Sequence, residues 1–174
     1  PYLLKNIEAA ANLFTYHITR DSSVVTLLVD CDVDGFTSAA ILYNYIQDIG
    51  FKGTIHTLFH GKKQHGLTDD GITVPQDTTL LIIPDAGSND ADQCAALCGQ
   101  MDILILDHHI IERQNPYAVI VNSQDGQYPN KELSGAGVVW KFCQVLDDMQ
   151  WTEYANKYTD LAAVGNIADV MDMH

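Results

Sequence analysis

Three short apolar runs in this chain each end in residues that carry charge or bind metals, and that repetition constrains the fold more than any other feature. Residues 24–29 (VVTLLV) lead into Asp30-Cys31-Asp32-Val33-Asp34-Gly35, residues 80–83 (LLII) into Pro84-Asp85, and residues 103–106 (ILIL) into Asp107-His108-His109. Continuous apolar runs of this length, rich in branched residues, predict strands buried on both faces, as in a parallel sheet covered by helices. Open sheets of that kind gather their ligands outside the carboxyl ends of the strands. The three polar endings are therefore expected to meet at one edge.

The remaining pattern fills in the same architecture. Residues 36–49 read as a helix, with Ala39, Ile41, Leu42, Tyr45, Ile46 and Ile49 near helical spacing and Gly50 behind them. Residues 53–59 read as a further strand and 119–121 as a weaker one. Residues 90–98 read as a helix capped by Ser88 or Asn89, and 122–133 (NSQDGQYPNKEL) as a loop. From Ser134 the pattern turns to long helices, 138–149 and 151–168. The expectation is an α/β fold, a mainly parallel sheet flanked by helices and followed by a helical C-terminal segment. A length of 174 residues fits one domain. The start at Pro1 and the stop at His174 lead us to expect a fragment of a longer protein.

Charge narrows the function classes. With 9 basic and 23 acidic residues the formal net charge is −14, and 19 of the acids are Asp. That balance argues against a broad DNA-binding surface, which carries a basic stripe, but leaves room for a local phosphate site. No apolar run approaches the roughly 18 residues of a membrane span. The first residues, PYLLKNIEAAANLF, lack the basic start and cleavage site of an export signal, so a cytoplasmic location is expected. Cys31, Cys94, Cys98 and Cys143 form no CxxC pair and read as reduced.

The chemistry lies in the strand endings. Carboxylates at alternate positions 30, 32 and 34 raise one another's pKa, and a bound cation relieves that cost. The string D-x-D-x-D-G also opens a calcium-binding EF-hand loop, but its twelfth position would be Ile41, where a bidentate Glu is required. A single histidine is more often a satisfied core residue than a ligand; three strand endings able to bind metal change that reading. A fourth cluster, GNIADVMD, puts Gly165 and Asp169 at a predicted helix end, which taken alone fits a C-cap. Ser134-Gly135-Ala136-Gly137 precedes a helix, so it is either an anion site built from free N–H groups or a plain N-cap by Ser134. The loop His60-Gly61-Lys62-Lys63-Gln64-His65-Gly66-Leu67 is the one concentrated basic segment, either a phosphate contact or an exposed turn.

In this order, D-x-D-x-D-G, Asp, D-H-H and G-x-x-x-D resemble the four motifs of the DHH phosphoesterase superfamily. VDCDVDGFTSAA, LSGAGVVWKF and GNIADVMD are similar to the RecJ exonuclease branch, and the likeness spans residues 24–172. The resemblance implies that Asp30, Asp32, Asp34, Asp85, His108, His109 and Asp169 hold or orient two divalent cations, Mn2+ or Mg2+, with Asp85 bridging. Imidazole ligands favour manganese. Asp107 is cast behind the ligands, accepting a histidine N–H or fixing the turn. Ser134, Gly135, Gly137, Lys62, Lys63 and His65 are expected to contact substrate phosphate. His109 stands open between ligand, general acid and phosphate contact.

The activity implied is phosphodiester hydrolysis, foremost a 5′-to-3′ single-stranded DNA exonuclease of repair and recombination. Two alternatives stay open: a phosphoesterase acting on short oligonucleotides, cyclic dinucleotides or pyrophosphate, and a catalytically silent replication-associated scaffold. The expected partners are single-stranded DNA or a short oligonucleotide, no membrane, and a C-terminal substrate-binding domain or partner protein outside these residues.

Overall fold

In the computed structural model, residues 1–60, 65–68 and 71–172 are described. In chain order the elements are α1 (Ile7–Ile18), β1 (Val24–Val29), α2 (Val33–Asp48), β2 (Thr54–Phe59), β3 (Leu80–Pro84), α3 (Ala91–Leu97), β4 (Asp102–Asp107), β5 (Val119–Asn122), α4 (Gly135–Gln150) and α5 (Thr159–Ala168). The strands form one sheet of order β2-β1-β3-β4-β5, and every neighbouring pair is parallel.

Strand order decides where the helices go. From β1 the chain steps outward to β2, whereas from β3 it steps the other way to β4 and β5. Parallel crossovers are nearly always right-handed, so steps in opposite directions place their helices on opposite faces. The buried side chains follow that rule. Val25, Leu27, Leu80, Ile82, Leu104 and Leu106 face the larger cluster, with α1, α2 and α4. Leu28, Leu81, Ile83, Ile103 and Ile105 face the smaller one, with Cys94 of α3. The central strands β3 and β4 are buried on both sides, as their unbroken apolar runs predict.

Several boundaries differ from the sequence reading. Helix α1 buries Ile7, Ala10, Ala11 and Phe14 on one face, although no element was expected there. Helix α2 begins at Val33, not residue 36, because Asp32 caps it by accepting the Gly35 N–H at 2.8 Å. The cap of α3 is Asp90, not Ser88 or Asn89. Those two are engaged elsewhere: Ser88 Oγ accepts from Asn122 Nδ2, and Asn89 Oδ1 from the Glu112 N–H. The helix expected over 151–168 is interrupted, since Trp151 takes a left-handed backbone (φ 56°) and a 3-10 turn, Tyr154–Tyr158, precedes α5.

One buried carboxylate joins α2, α4 and that 3-10 turn. Asp147 accepts the Tyr45 hydroxyl at 3.0 Å, the Thr152 hydroxyl at 2.5 Å and the Ala155 N–H at 2.7 Å. Asp147→Ala would strand a buried hydroxyl and a buried N–H, at about 1–3 kcal/mol each, whereas Tyr45→Phe removes one hydrogen bond worth about 1 kcal/mol. We expect urea unfolding to show Asp147→Ala as the more destabilised by a clear margin. Equal losses would remove this carboxylate from the joint.

Candidate metal centre

The strand order reverses between β1 and β3, and the residues that leave those two strands carry most of the acids. Asp30 follows β1. Its Oδ1 accepts the Cys31 N–H at 2.8 Å and lies 3.1 Å from His60 Nδ1; its Oδ2 lies 2.5 Å from His65 Nδ1. Asp34 sits in the first turn of α2 with both oxygens engaged. Gly135 N–H reaches Oδ2 at 2.6 Å and Ala136 N–H reaches Oδ1 at 3.0 Å. A carboxylate at the start of α4 meets unpaired amides and the positive end of the helix dipole, so Asp34 is held in place from the far half of the chain.

Asp85 ends β3 in a left-handed backbone, φ 70°, which Asp tolerates better than most residues. Its N–H still donates to the Leu106 carbonyl at 2.8 Å, so the side chain turns into the edge while the backbone stays tied to β4. Two glycines leave room for these acids. A Cβ on Gly135 would lie 2.3 Å from Asp85 Oδ1, and one on Gly165 would lie 2.4 Å from Asp34 Oδ1.

His108, just past β4, brings the pieces together. Its Nε2 lies 3.2 Å from Asp85 Oδ1, 3.6 Å from Asp169 Oδ2 and 3.8 Å from Asp34 Oδ2. Neither Asp85 Oδ1 nor Asp169 Oδ2 has a hydrogen-bond partner, although both are buried. Donor atoms this close without hydrogen-bond alignment fit a shared cation better than a shared proton. Three overlapping triplets have donor atoms within 4.8 Å of one another: Asp30, Asp32 and Asp85; Asp85, His108 and His109; Asp34, His108 and Asp169. Asp85 and His108 each occur in two, the arrangement needed for neighbouring ions sharing ligands. The carboxylate oxygens suit magnesium, calcium or manganese, and an imidazole among them tilts the set toward a transition metal.

The electrostatics agree. Burial first, and the adjacent Asp34 carboxylate second, push the Asp85 carboxyl up to about 11. Asp169 is also raised, by burial and then by Asp34 and Asp32, against the opposing pull of His108. Asp107 behaves in the opposite way. Burial would raise it, but His109 and the Ser88 donor outweigh that and hold it at about 2. It accepts the N–H groups of Ser88, His108 and His109, and lies 2.8 Å from His109 Nδ1. That contact fixes the imidazole and raises its pKa, leaving Nε2 toward the open side of the edge.

The seven expected ligands thus converge, Asp107 stands behind them, and His65 touches Asp30. Lys62 and Lys63 lie outside the described residues. Ser134, Gly135 and Gly137 have partners within the chain. Ser134 is the N-cap of α4, its Oγ accepting the Gly137 N–H at 3.3 Å, and the helix-start amides hold the protein's own Asp34. The anion site exists, but in this arrangement a carboxylate fills it.

Three contributors escaped the sequence reading. His60 is buried, with Nδ1 on Asp30 and Nε2 2.8 Å from the Gly66 carbonyl oxygen. It ends β2, so the strand-end rule that found the others applied to it as well. Asn122 ends β5 and donates to the His109 carbonyl at 3.0 Å. Asn166 accepts the Ser134 N–H at 3.0 Å, tying the GNIAD segment to the start of α4.

Known proteins agree with this arrangement. The chain is 41% identical over 171 residues to YorK, a prophage-derived protein of Bacillus subtilis named as a candidate single-strand DNA-specific exonuclease, covering 97% of this chain and 29% of YorK. It is 27% identical over 181 residues to the single-stranded-DNA-specific exonuclease RecJ of the same organism, covering 100% of this chain and 22% of RecJ. It therefore spans less than a third of these curated relatives. A crystal structure of exonuclease RecJ bound to manganese superposes with a TM-score of 0.81 at 24% identity, over 97% of this chain and 44% of that one, which shows a common fold. Residues 23–166 match the DHH family, N-terminal domain, and the chain belongs to that family.

Proposed function

We propose that residues 1–174 form the DHH-type catalytic domain of a longer protein and hydrolyse phosphodiesters with two divalent cations, manganese before magnesium. The observation that carries this reading is the set of three donor triplets sharing Asp85 and His108, with two buried carboxylate oxygens left without partners. Its 29% share of YorK supports the reading as one part of a larger enzyme. When bound, such ions supply an activated water and stabilise charge on the phosphoryl oxygens.

The chain's own residues do the rest. Asp30, Asp32, Asp34, Asp85, His108 and Asp169 hold the ions. Asp107 fixes His109 so that Nε2 can donate to a phosphate oxygen or a leaving group. His65 closes the open side of Asp30. The names of the relatives support single-stranded DNA as the substrate, and the resemblance to the RecJ branch adds digestion from a 5′ end to the proposal.

The acidic surface favours a second reading, hydrolysis of short substrates. A digestion panel with manganese, comparing 5′-labelled single strands, dinucleotides and pyrophosphate, separates the two. Preference for dinucleotides or pyrophosphate would displace the exonuclease reading, and no hydrolysis of any would leave the silent scaffold.

Two variants test the centre. The Asp85 carboxyl has a pKa near 4 in an unfolded chain and about 11 in the fold. The metal-free fold therefore holds a proton that the unfolded chain gives up, and stability falls as pH rises from about 4 toward the folded value. Asp85→Asn removes that loss. We expect it to melt higher than the metal-free parent at pH 8, to gain little from added Mn2+, and to lose about 100-fold or more of the hydrolysis. Near-parental turnover would take Asp85 out of the mechanism. Gly135→Ala puts a methyl against the Asp85 carboxylate, so the manganese concentration for half-maximal activity should rise about tenfold or more. An unchanged metal titration would show that the close approach is immaterial.

A further inference from the structure

Just outside the acidic edge the surface changes character. Phe36 and Phe59 are 50% and 56% exposed, yet their rings stack on one another with centroids 6.0 Å apart and planes 27° from parallel. They line a groove of about 350 Å³ between α2 and the edge strand β2, with Ala40, Tyr43, Asn44 and Thr57, and among the described residues no lining side chain is charged. Its position is fixed by the site. Phe36 is two residues past Asp34, on the same helix. Phe59 pairs in register with Val29, the residue before Asp30, and is followed by His60.

The cations among the described residues provide no equivalent hold beside this groove. Among the described residues, Lys5, Arg113 and Lys157 pair with Asp125, Asp92 and Asp48. Arg20 and Lys141 lie over Tyr16 and Trp140, and Lys131 donates to loop carbonyls. Lys52 precedes β2, at the end of the strand opposite Phe59. A nucleotide divides the same way as this surface, into an anionic phosphate and a neutral, flat base. The phosphate matches the cation-binding edge, and the base matches the uncharged aromatic groove beside it. Stacking on aromatic rings is how single strands are gripped without sequence preference.

Resting on the proposed hydrolysis of nucleic-acid strands at the adjoining edge, we infer that Phe36 and Phe59 form a base-stacking platform that seats a nucleobase next to the scissile phosphate. Asn44 and Thr57 add hydrogen-bonding groups at the groove floor, while the rings provide the grip. Substrate is then held through its base as well as its backbone, and a strand without bases loses that hold.

The test uses the whole chain with Mn2+ and two probes of equal length, a single-stranded oligothymidylate and a strand of abasic tetrahydrofuran nucleotides. Fluorescence anisotropy gives the affinity ratio, and product release is followed in parallel. The parent should prefer the base-bearing strand by about tenfold. In the double variant Phe36→Leu with Phe59→Leu, which keeps apolar bulk and removes the rings, the ratio should fall to about one. Phe36→Ala with Phe59→Ala, checked for folding by thermal melting, should do the same. A parent with no preference, or variants that keep it, overturns the platform. So does a variant with unchanged strand binding whose sedimentation shows lost self-association, since the groove would then join two copies. Preference present in the parent and lost in the variants, with no hydrolysis of either strand, supports the platform and refutes the hydrolase reading, so the two fail separately.

Discussion

Asp34 accepts amides from Gly135 and Ala136, about a hundred residues further along the chain, and the candidate centre depends on that contact. The start of α4 offers unpaired N–H groups and a positive dipole end, and Asp34 satisfies them while being held against Asp85 and His108. α4 in turn packs between the sheet and α5, whose end supplies Asp169. One buried carboxylate therefore sets the distance between two halves of the centre. Glycine at 135 and 165 is the steric condition for it, because a side chain at either position would overlap a carboxylate.

The same contact concentrates negative charge. Asp34 and Asp85 are buried side by side, and Asp85 responds by holding its proton far above the usual carboxylate range. Such a cluster is unfavourable for the fold by itself and becomes favourable when cations fill it. Asp107 shows the contrast within the same edge. Equally buried, it is surrounded by N–H donors and stays ionised easily. Two environments along one sheet edge thus separate an acid held in the protonated form from an acid that positions a histidine.

Topology explains why distant segments share one place. Because β2 and β4 leave β1 and β3 in opposite directions, a crevice opens at the carboxyl ends between them, the usual ligand site of an open parallel sheet. Loops from β1, β3 and β4 empty into it, and the ends of α2, α4 and α5 close it. Asp147, joining α2 to α4 and the 3-10 turn, steadies the helices that carry these termini. The groove at the β2 edge adjoins the same crevice through Phe36, two residues past Asp34, and Phe59, paired with Val29, so charged and apolar surfaces lie side by side.

Much of this was legible in the sequence because the signals are local. Apolar runs with polar endings mark strands and the edge at which they stop, so β1, β3 and β4 and the candidate ligands that follow them could be read along the chain, whereas Asp169, at the end of α5, was reached only through the family resemblance. Helix α1 was equally local, in the spacing of Ile7, Ala10, Ala11 and Phe14, and was overlooked. Other features had no local signature. That the amides of Gly135 and Ala136 would hold Asp34 depends on α2 and α4 meeting, which no spacing encodes. His60 needed β2 placed beside β1 before its ring could reach Asp30. The left-handed backbone of Asp85 follows from packing between β4 and Gly135. The sequence by itself determined which residue types can bind metal and that most of them follow strands, since residue type and periodicity are properties of short segments. Tertiary structure alone decided which carboxylate oxygens stand without a partner and which also accept amides, because that depends on contacts between segments far apart in the chain.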